Sequence, residues 1–185
     1  TPDDVQNIQH PIIGYMGTIN STRLDGELLY QIISQRPDYS FVFTGPEDDI
    51  FRRNRIHSLK NAYFTGQKKV DELPAYIAAY DVCINPQMVN EITDGNYPLK
   101  IDEYLAMGKP TVATSTHTMR NIFTGHTHLA INPEEWLAAI DRAVTEADDK
   151  ELAKQRIAFA ETHSWGHSVK KIYEIIDSFL KKKTT

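Results

Sequence analysis

The chain has 185 residues, of which 41% are hydrophobic and 24% are charged, a composition that excludes disordered and fibrous proteins. This length predicts one well-cored domain. A formal net charge of -5 disfavours a nucleic-acid partner, because no basic patch precedes the last few residues of the sequence.

The opening residues and the cysteine content bear on organisation and compartment. Residues 1–10 are predicted to be a linker that leads into a strand, so we expect residues 11–185 to be one domain of a longer protein. The single cysteine, Cys83, lies in the apolar run DVCIN and is predicted to be buried. Because the sequence shows no intrachain disulfide, no signal-peptide pattern and no membrane-length apolar run, it favours the cytoplasm.

Short apolar runs alternate with amphipathic stretches along most of the chain. The periodicity of LDGELLYQIISQ and VDELPAYIAAY predicts two connecting helices, with Pro74 in the first turn of the second. Strand–helix repetition of this kind predicts an α/β fold with a doubly wound, Rossmann-like parallel sheet. The predicted strands are residues 12–16, 41–44, 62–65, 81–85, 110–114 and 128–131.

After residue 131 the alternation stops, and three consecutive helices are predicted. Ser164 is expected to cap the last helix, with Trp165 as its first apolar anchor. Just before these helices, His126 and His128 have a spacing that could suit two metal ligands. No acid or thiol partner is recognisable near them, so we predict a structural role and no metal site.

Two loops carry candidate ligand-binding residues, because ligands of open parallel sheets bind beyond the carboxyl ends of the strands. The first loop, GYMGTINSTR, places Gly17 where backbone could approach a phosphate and Arg23 where a cation could neutralise it. The loop lacks the glycine patterns of dinucleotide-binding and P-loop proteins. Taken alone, it is better explained as a turn followed by a solvated arginine.

The second candidate loop leads into the helix that begins near Pro98. Pro98 suits a first helical position, Lys100 lies in the first turn, and Glu103 follows on the same face. A cation there opposes the helix dipole at a cost of about a few tenths of a kcal/mol, a conflict expected mainly at functional sites. Lys100 and Glu103 could bind a phosphate and a sugar diol, but an ordinary surface pair explains their spacing equally well.

The same loop and helix carry a family resemblance. PLKIDEYLAMGKPTVAT resembles the donor-binding signature of retaining, nucleotide-sugar-dependent glycosyltransferases with two facing Rossmann-like domains, the GT-B architecture. NEITDGNYPLK is similar to the loop that precedes Pro-Leu-Lys in one branch of that family. Two further segments, IGYMGTINSTRLDGELL and NAYFTGQKKVDELPAYIAAYDVCINP, extend the resemblance to most of the chain.

The resemblance implies roles for the helix residues. Glu103 would accept the ribose hydroxyls of a nucleoside-diphosphate sugar, and Lys100, with the backbone near Pro98 and Leu99, would approach the diphosphate or the transferred sugar. Lys100 and Arg23 would be the catalytic cations. The remaining implied contacts are the backbone of Gly17 and Thr18 at the pyrophosphate and, at the base, the backbone from Phe64 to Gly66 beside the turn at Gly45.

The sequence also departs from the family pattern. Many relatives carry two glutamates eight positions apart, whereas Gly95 stands eight positions before Glu103, and Glu91 or Asp94 could substitute for the absent acid. Thr18 replaces an arginine that is common in other branches. The family needs an amino-terminal domain that binds the acceptor, so we expect this chain to bind nucleotide with little or no turnover.

The resemblance implies no cofactor or metal, and it suggests a cell-envelope polysaccharide as product and peripheral membrane association of the full-length enzyme. Two alternatives stay open. A sugar-nucleotide epimerase of the same architecture would need further acids and a histidine in the absent half. A non-catalytic flavodoxin-like interaction module would need no nucleotide and predicts an acidic pocket by the first strand, where GYMGTIN has no acid.

Overall fold

The computed structural model describes residues 1–91 and 93–183, with side chains up to residue 180. Six parallel strands form one sheet in the order β3-β2-β1-β4-β5-β6. This confirms the predicted α/β fold, and every predicted strand end lies within one residue of the observed end. The strands are β1 (Ile12–Met16), β2 (Ser40–Thr44), β3 (Ala62–Gly66), β4 (Val82–Asn85), β5 (Thr111–Thr114) and β6 (His128–Ala130).

Six helices connect or follow the strands. Capping side chains begin several of them: Asp25, Asn132 and Asp149 each accept a hydrogen bond from a backbone amide in the first turn. Pro74 lies in the first turn of its helix, as predicted. The helices are α1 (Gly26–Ser34), α2 (Leu73–Ala79), α3 (Leu99–Ala106), α4 (Pro133–Thr145), α5 (Lys150–Glu161) and α6 (Trp165–Lys183).

The sheet separates two apolar cores. On one face, side chains of α1 and α4, such as Ile32 and Trp136, pack against the strands. On the other face, α2, α3 and α5 contribute, with Ile77 and Tyr104 among the buried residues. Cys83 is fully buried in this second core, as predicted, and its burial raises the pKa of the thiol. Both faces of the sheet are therefore covered, as in other parallel sheets.

The two ends of the chain behave differently. The amino-terminal segment packs on α2, where Asp4 accepts hydrogen bonds from the Tyr76 hydroxyl at 2.7 Å and the Lys68 ammonium at 2.6 Å. At the other end Ser164 caps α6, since its hydroxyl accepts a hydrogen bond from the His167 amide at 3.3 Å. The prediction that Trp165 anchors α6 is wrong: its side chain is 85% exposed.

The exposure of Trp165 reflects the position of the whole helix. No side chain between residues 165 and 180 is buried, although Val169, Ile172 and Ile176 recur at helical spacing on α6. The amphipathic pattern therefore predicted the helix correctly, and its apolar side chains are exposed in this chain. Among the helices described, none combines the length and the apolar composition needed to cross a membrane.

Candidate functional site

A cavity opens where the strand order changes direction. From β1 the chain runs outwards through β2 and β3, and it then returns to β4 on the other side of β1. The loops after β1 and β4 therefore diverge, and ligands of doubly wound proteins bind in such crevices. The cavity there has a volume of about 590 Å³. Six predicted site residues line it: Gly17, Thr18, Arg23, Pro98, Leu99 and Lys100.

Backbone hydrogen bonds tie the two loops together. The amide of Asp25 donates to the Pro86 carbonyl at 3.1 Å, and the amide of Met88 donates to the Arg23 carbonyl at 2.8 Å. Leu24 and Gln87 form an antiparallel bridge between them. Arg23 is thus fixed at its backbone while its side chain is exposed at the cavity. The two loops, more than 60 residues apart in sequence, form one wall.

Lys100 is the best-defined cation of the site. Its ammonium donates a hydrogen bond to the Tyr15 hydroxyl at 2.7 Å, and that hydroxyl donates to the Thr18 carbonyl at 3.0 Å. Burial lowers the pKa of Lys100 to about 8; the negative charge of Glu103 opposes this shift and the positive charge of Arg23 adds to it. Two cations therefore share one cavity, an arrangement that an anionic ligand would stabilise.

Glycines allow the loop after β1 to approach Lys100 and the neighbouring strand end. Gly17 and Gly45 have φ angles of 134° and 148°, a region that side chains rarely adopt. A Cβ atom on Gly17 would lie 2.7 Å from the Lys100 ammonium, and one on Gly45 would lie 2.0 Å from the Gly17 carbonyl oxygen. The close contact of these backbones requires glycine at both positions.

The start of α3 is open at the cavity. The sequence predicted Pro98 as the first helical residue, and this prediction is wrong. Its φ and ψ of -87° and 86° are non-helical, and α3 begins at Leu99. The Pro98 carbonyl accepts a hydrogen bond from the Ile101 amide at 2.9 Å, so Pro98 is the residue that immediately precedes the helix and caps it with its backbone. No described side chain caps this helix. Its first amides and its positive dipole end remain available to an anion.

Glu103 does not line the cavity; it lines a second groove, of about 260 Å³, about one helical turn along α3 from Lys100. Met16, Leu73, Ile77 and Met107 give this groove an apolar lining. Between the described side chains of Lys100 and Glu103 no ion pair forms, because the ammonium is directed to Tyr15. The surface pair that the spacing allowed is therefore absent, and Glu103 is an exposed carboxylate at the edge of an apolar groove.

The other predicted residues lie outside both openings. Phe64 packs between Phe43, with ring centroids 5.1 Å apart, and His57, with centroids 3.9 Å apart. Its partly buried side chain packs against the apolar core that α1 covers. Gly66 is exposed at the end of β3, and its carbonyl accepts the Gly45 amide at 3.0 Å. Gly45 and Gly66 thus lie at the carboxyl ends of β2 and β3, the same edge of the sheet at which the cavity opens.

Comparison with known proteins assigns the family. The sequence profile of the family described as glycosyl transferases group 1 matches residues 10–146. The chain belongs to this family. A relative named "Putative teichuronic acid biosynthesis glycosyltransferase TuaH", from Bacillus subtilis (strain 168), is 28% identical over 160 residues, covering 83% of the chain. The chain spans 40% of the length of that relative.

Solved glycosyltransferase structures share the fold of this group 1 domain. Sucrose-phosphate synthase from Thermosynechococcus elongatus matches 95% of the chain with a TM-score of 0.73 and 19% identity, over 47% of its own length. Anabaena HepE, solved in complex with UDP and glucose, matches 96% of the chain with a TM-score of 0.67 and 15% identity, over 53% of its own length. The chain therefore corresponds in fold to about half of each of these proteins.

The two acids that could substitute for a glutamate at Gly95, which are Glu91 and Asp94, do not line this cavity. Asp94 accepts a hydrogen bond from the His117 amide at 2.7 Å, so its carboxylate holds two loops together. Glu91 is exposed, and neither residue lines the cavity. Neutral amide side chains line it instead, which the sequence did not predict because the loops meet only in the folded chain. These side chains are Asn20, Gln87 and Asn96.

The candidate metal ligands have other contacts. His126 stacks on Phe159 with ring centroids 3.8 Å apart, and His128 lies 3.1 Å from Glu146, which also pairs with the buried Arg156. Within residues 1–91 and 93–183, no group of three histidine, cysteine, aspartate or glutamate side chains could hold a metal ion. The histidine pair takes part in packing between β6, α4 and α5.

Proposed function

We propose that the chain is the donor-binding domain of a retaining glycosyltransferase and that it binds a nucleoside-diphosphate sugar. The start of α3, which has no described side-chain cap, carries Lys100 and lines a switch-point cavity together with Arg23, is the observation that carries this proposal. A helix amino terminus with two cations favours a ligand with a multiply charged anionic group. A diphosphate in the centre of the ligand meets that requirement.

The ligand would extend in two directions from Lys100. On one side, Glu103 would accept hydrogen bonds from the ribose hydroxyls, and the apolar groove beside Met16 would hold the rest of the nucleoside. The backbone near Gly45 and Gly66 would contact the base. On the other side, the amide-lined part of the cavity would hold the transferred sugar.

Catalysis in this arrangement would be electrostatic. The diphosphate gains negative charge as the bond to the sugar breaks, and the amides at the start of α3, Arg23 and Lys100 would stabilise that charge. Gly17 and Thr18 would contribute backbone contacts. No metal or cofactor is needed for this stabilisation, because the protein cations provide it.

We propose a uridine nucleotide as the donor, because similar structures were solved with UDP. The role in teichuronic acid biosynthesis named for the Bacillus relative supports a cell-envelope glycan as acceptor. An amino-terminal domain outside this chain would bind that acceptor and cover the exposed apolar side chains of α6. The full-length enzyme would work in the cytoplasm, at the membrane surface.

The proposal is tested by thermal unfolding with UDP, GDP, ADP and CDP. A ligand at about one hundred times its dissociation constant stabilises the folded state by about 2.7 kcal/mol. For a chain of this size, about 2–4 °C per kcal/mol gives an increase in Tm of roughly 5–11 °C. We expect UDP to give the largest increase. No increase with any of the four would contradict the proposal and favour a non-catalytic interaction module.

Donor affinity is expected to fall as the pH rises through 8. The ammonium of free Lys100 loses its proton near a pKa of about 8, whereas a bound diphosphate would keep it protonated. Binding above that pH therefore requires uptake of a proton, and affinity falls by up to about tenfold per pH unit. Calorimetry with UDP from about pH 7 to pH 9.5 measures this slope.

The Lys100→Arg variant is the matched control, since arginine stays charged throughout this range. Its affinity for UDP is expected to vary little with pH. If the variant and the wild type show the same slope, Lys100 is not the group that titrates.

A further inference from the structure

Tyr97 connects the cavity to the interior of the domain. Tyr97 lies two residues before the start of α3, lines the cavity and is 36% exposed. Its hydroxyl donates a hydrogen bond to the Asp102 carboxylate at 2.6 Å. Its ring packs on Phe123, with ring centroids 5.6 Å apart. Burial and the bond to Asp102 raise the pKa of the phenol, so it remains a donor at neutral pH.

Asp102 holds a second partner on its other oxygen. Nδ1 of His163 lies 2.8 Å from Oδ1 of Asp102, and both side chains are largely buried, with exposures of 23% and 18%. His163 is enclosed by aromatic rings: its centroid is 4.6 Å from that of Phe159 and 5.8 Å from that of Phe123. The carboxylate thus joins three segments, which are the loop before α3, α3 itself and the connection between α5 and α6.

This group of three lies on the side of Lys100 away from the nucleoside groove. Asp102 and Glu103 are neighbours on α3, about 100° apart around the helix axis. Glu103 faces the groove beside α2, whereas Asp102 faces Tyr97 and His163. If the diphosphate lies at Lys100, the portion of the ligand nearest Tyr97 is the sugar.

We propose that Tyr97, Asp102 and His163 form a hydrogen-bonded unit that sets the sugar-binding wall of the cavity. Tyr97 contacts the transferred sugar, and Asp102 and His163 are positioning residues that act through it. A wall fixed in advance binds a sugar without paying the entropy of ordering the loop. This inference rests on the proposed function, because it assumes that a sugar nucleotide occupies the cavity.

The unit also ends at the base of α6. His163 immediately precedes Ser164, the residue that caps α6. The sugar wall is in this way connected to the helix whose apolar side chains lie exposed on this chain.

The experiment compares UDP with UDP-glucose, UDP-galactose and UDP-N-acetylglucosamine by calorimetry on the 185-residue chain. Tyr97→Phe keeps the ring and its packing and removes only the hydrogen bond, and Asp102→Ala removes both bonds. Each variant is expected to bind the preferred UDP-sugar about fivefold to tenfold more weakly, the effect of losing one ordinary hydrogen bond, because the lost bond acts on the sugar only through the position of Tyr97. Affinity for UDP should change less than about twofold. His163→Phe is expected to act in the same direction.

Glu151→Ala is the matched control, because Glu151 is likewise an acid in the first turn of its helix but pairs only with Lys154 on the surface. Its affinities should equal those of the wild type. Equal weakening of UDP and UDP-sugar by Tyr97→Phe, or no weakening of either, would overturn the inference while leaving the proposed function intact. A wild-type chain that binds none of these compounds would overturn both. Wild-type behaviour of His163→Phe alone would remove His163 from the unit.

Discussion

Replacing Glu103 with alanine is expected to remove most of the stabilisation that UDP gives. The carboxylate would make charge-assisted hydrogen bonds to two ribose hydroxyls, and losing them costs about 1.5–3 kcal/mol, or up to roughly one hundredfold in affinity. At a UDP concentration of about one hundred times the wild-type Kd, the stabilisation would fall from about 2.7 to about 0.4 kcal/mol. Thermal unfolding with and without UDP measures the difference.

The control for this variant is Glu134→Ala. Glu134 is also an exposed helical glutamate, but it lies on α4, on the opposite face of the sheet. Its removal should leave the UDP-induced change in Tm as in the wild type. If Glu103→Ala binds UDP with unchanged affinity, the ribose is bound elsewhere, and the groove beside Met16 loses its assigned role.

Replacing Gly45 with alanine is expected to destabilise the fold and disrupt the cavity together. The φ angle of 148° costs a residue with a side chain about 1–3 kcal/mol. The added Cβ would lie 2.0 Å from the Gly17 carbonyl oxygen, which belongs to backbone and can move only with the whole loop. Overpacking of this kind costs about 1–3 kcal/mol more. A combined loss of about 3 kcal/mol would lower Tm by roughly 6–12 °C.

Because the clash pushes the loop that carries Gly17 and Thr18, the Gly45→Ala variant should also lose affinity for UDP at a temperature where it remains folded. Gly95→Ala is the control: no atom lies within 4 Å of its added Cβ, and its φ is not in the restricted range. A surface change of this kind is expected to alter stability by less than about 0.5 kcal/mol. Wild-type stability of Gly45→Ala would show that the loops are not packed as described.

Secondary structure followed closely from local sequence. Strand limits were predicted to within one residue, because most of the strands are short apolar runs with glycine, proline or aspartate at one end or both. The burial of Cys83 and the capping of α6 by Ser164 followed from the same kind of pattern. The prediction failed for Trp165, since an amphipathic pattern shows that a face can be buried but not which surface covers it.

The residues of the candidate site were also predicted only in part. Six of the ten predicted residues line one cavity, because all lie in loops at the carboxyl ends of parallel strands or in the first turn of the helix that follows, which the fold class alone brings together. Glu103 lies in a separate groove, and the side chain of Phe64 packs against the core. The amide side chains of Asn20, Gln87 and Asn96 were not predicted, since polar loop residues give no signal of their own before the loops meet.

By itself, the sequence determined the parallel α/β fold, the order of its elements and the two loops that face a ligand, because these depend on periodicity and on residue types at turns. Only the tertiary structure decided that Lys100 bonds to Tyr15 instead of pairing with Glu103, and that Asp102 joins Tyr97 to His163. These contacts link residues up to 85 positions apart. Their geometry is set by how helices pack on the sheet, which no local pattern encodes.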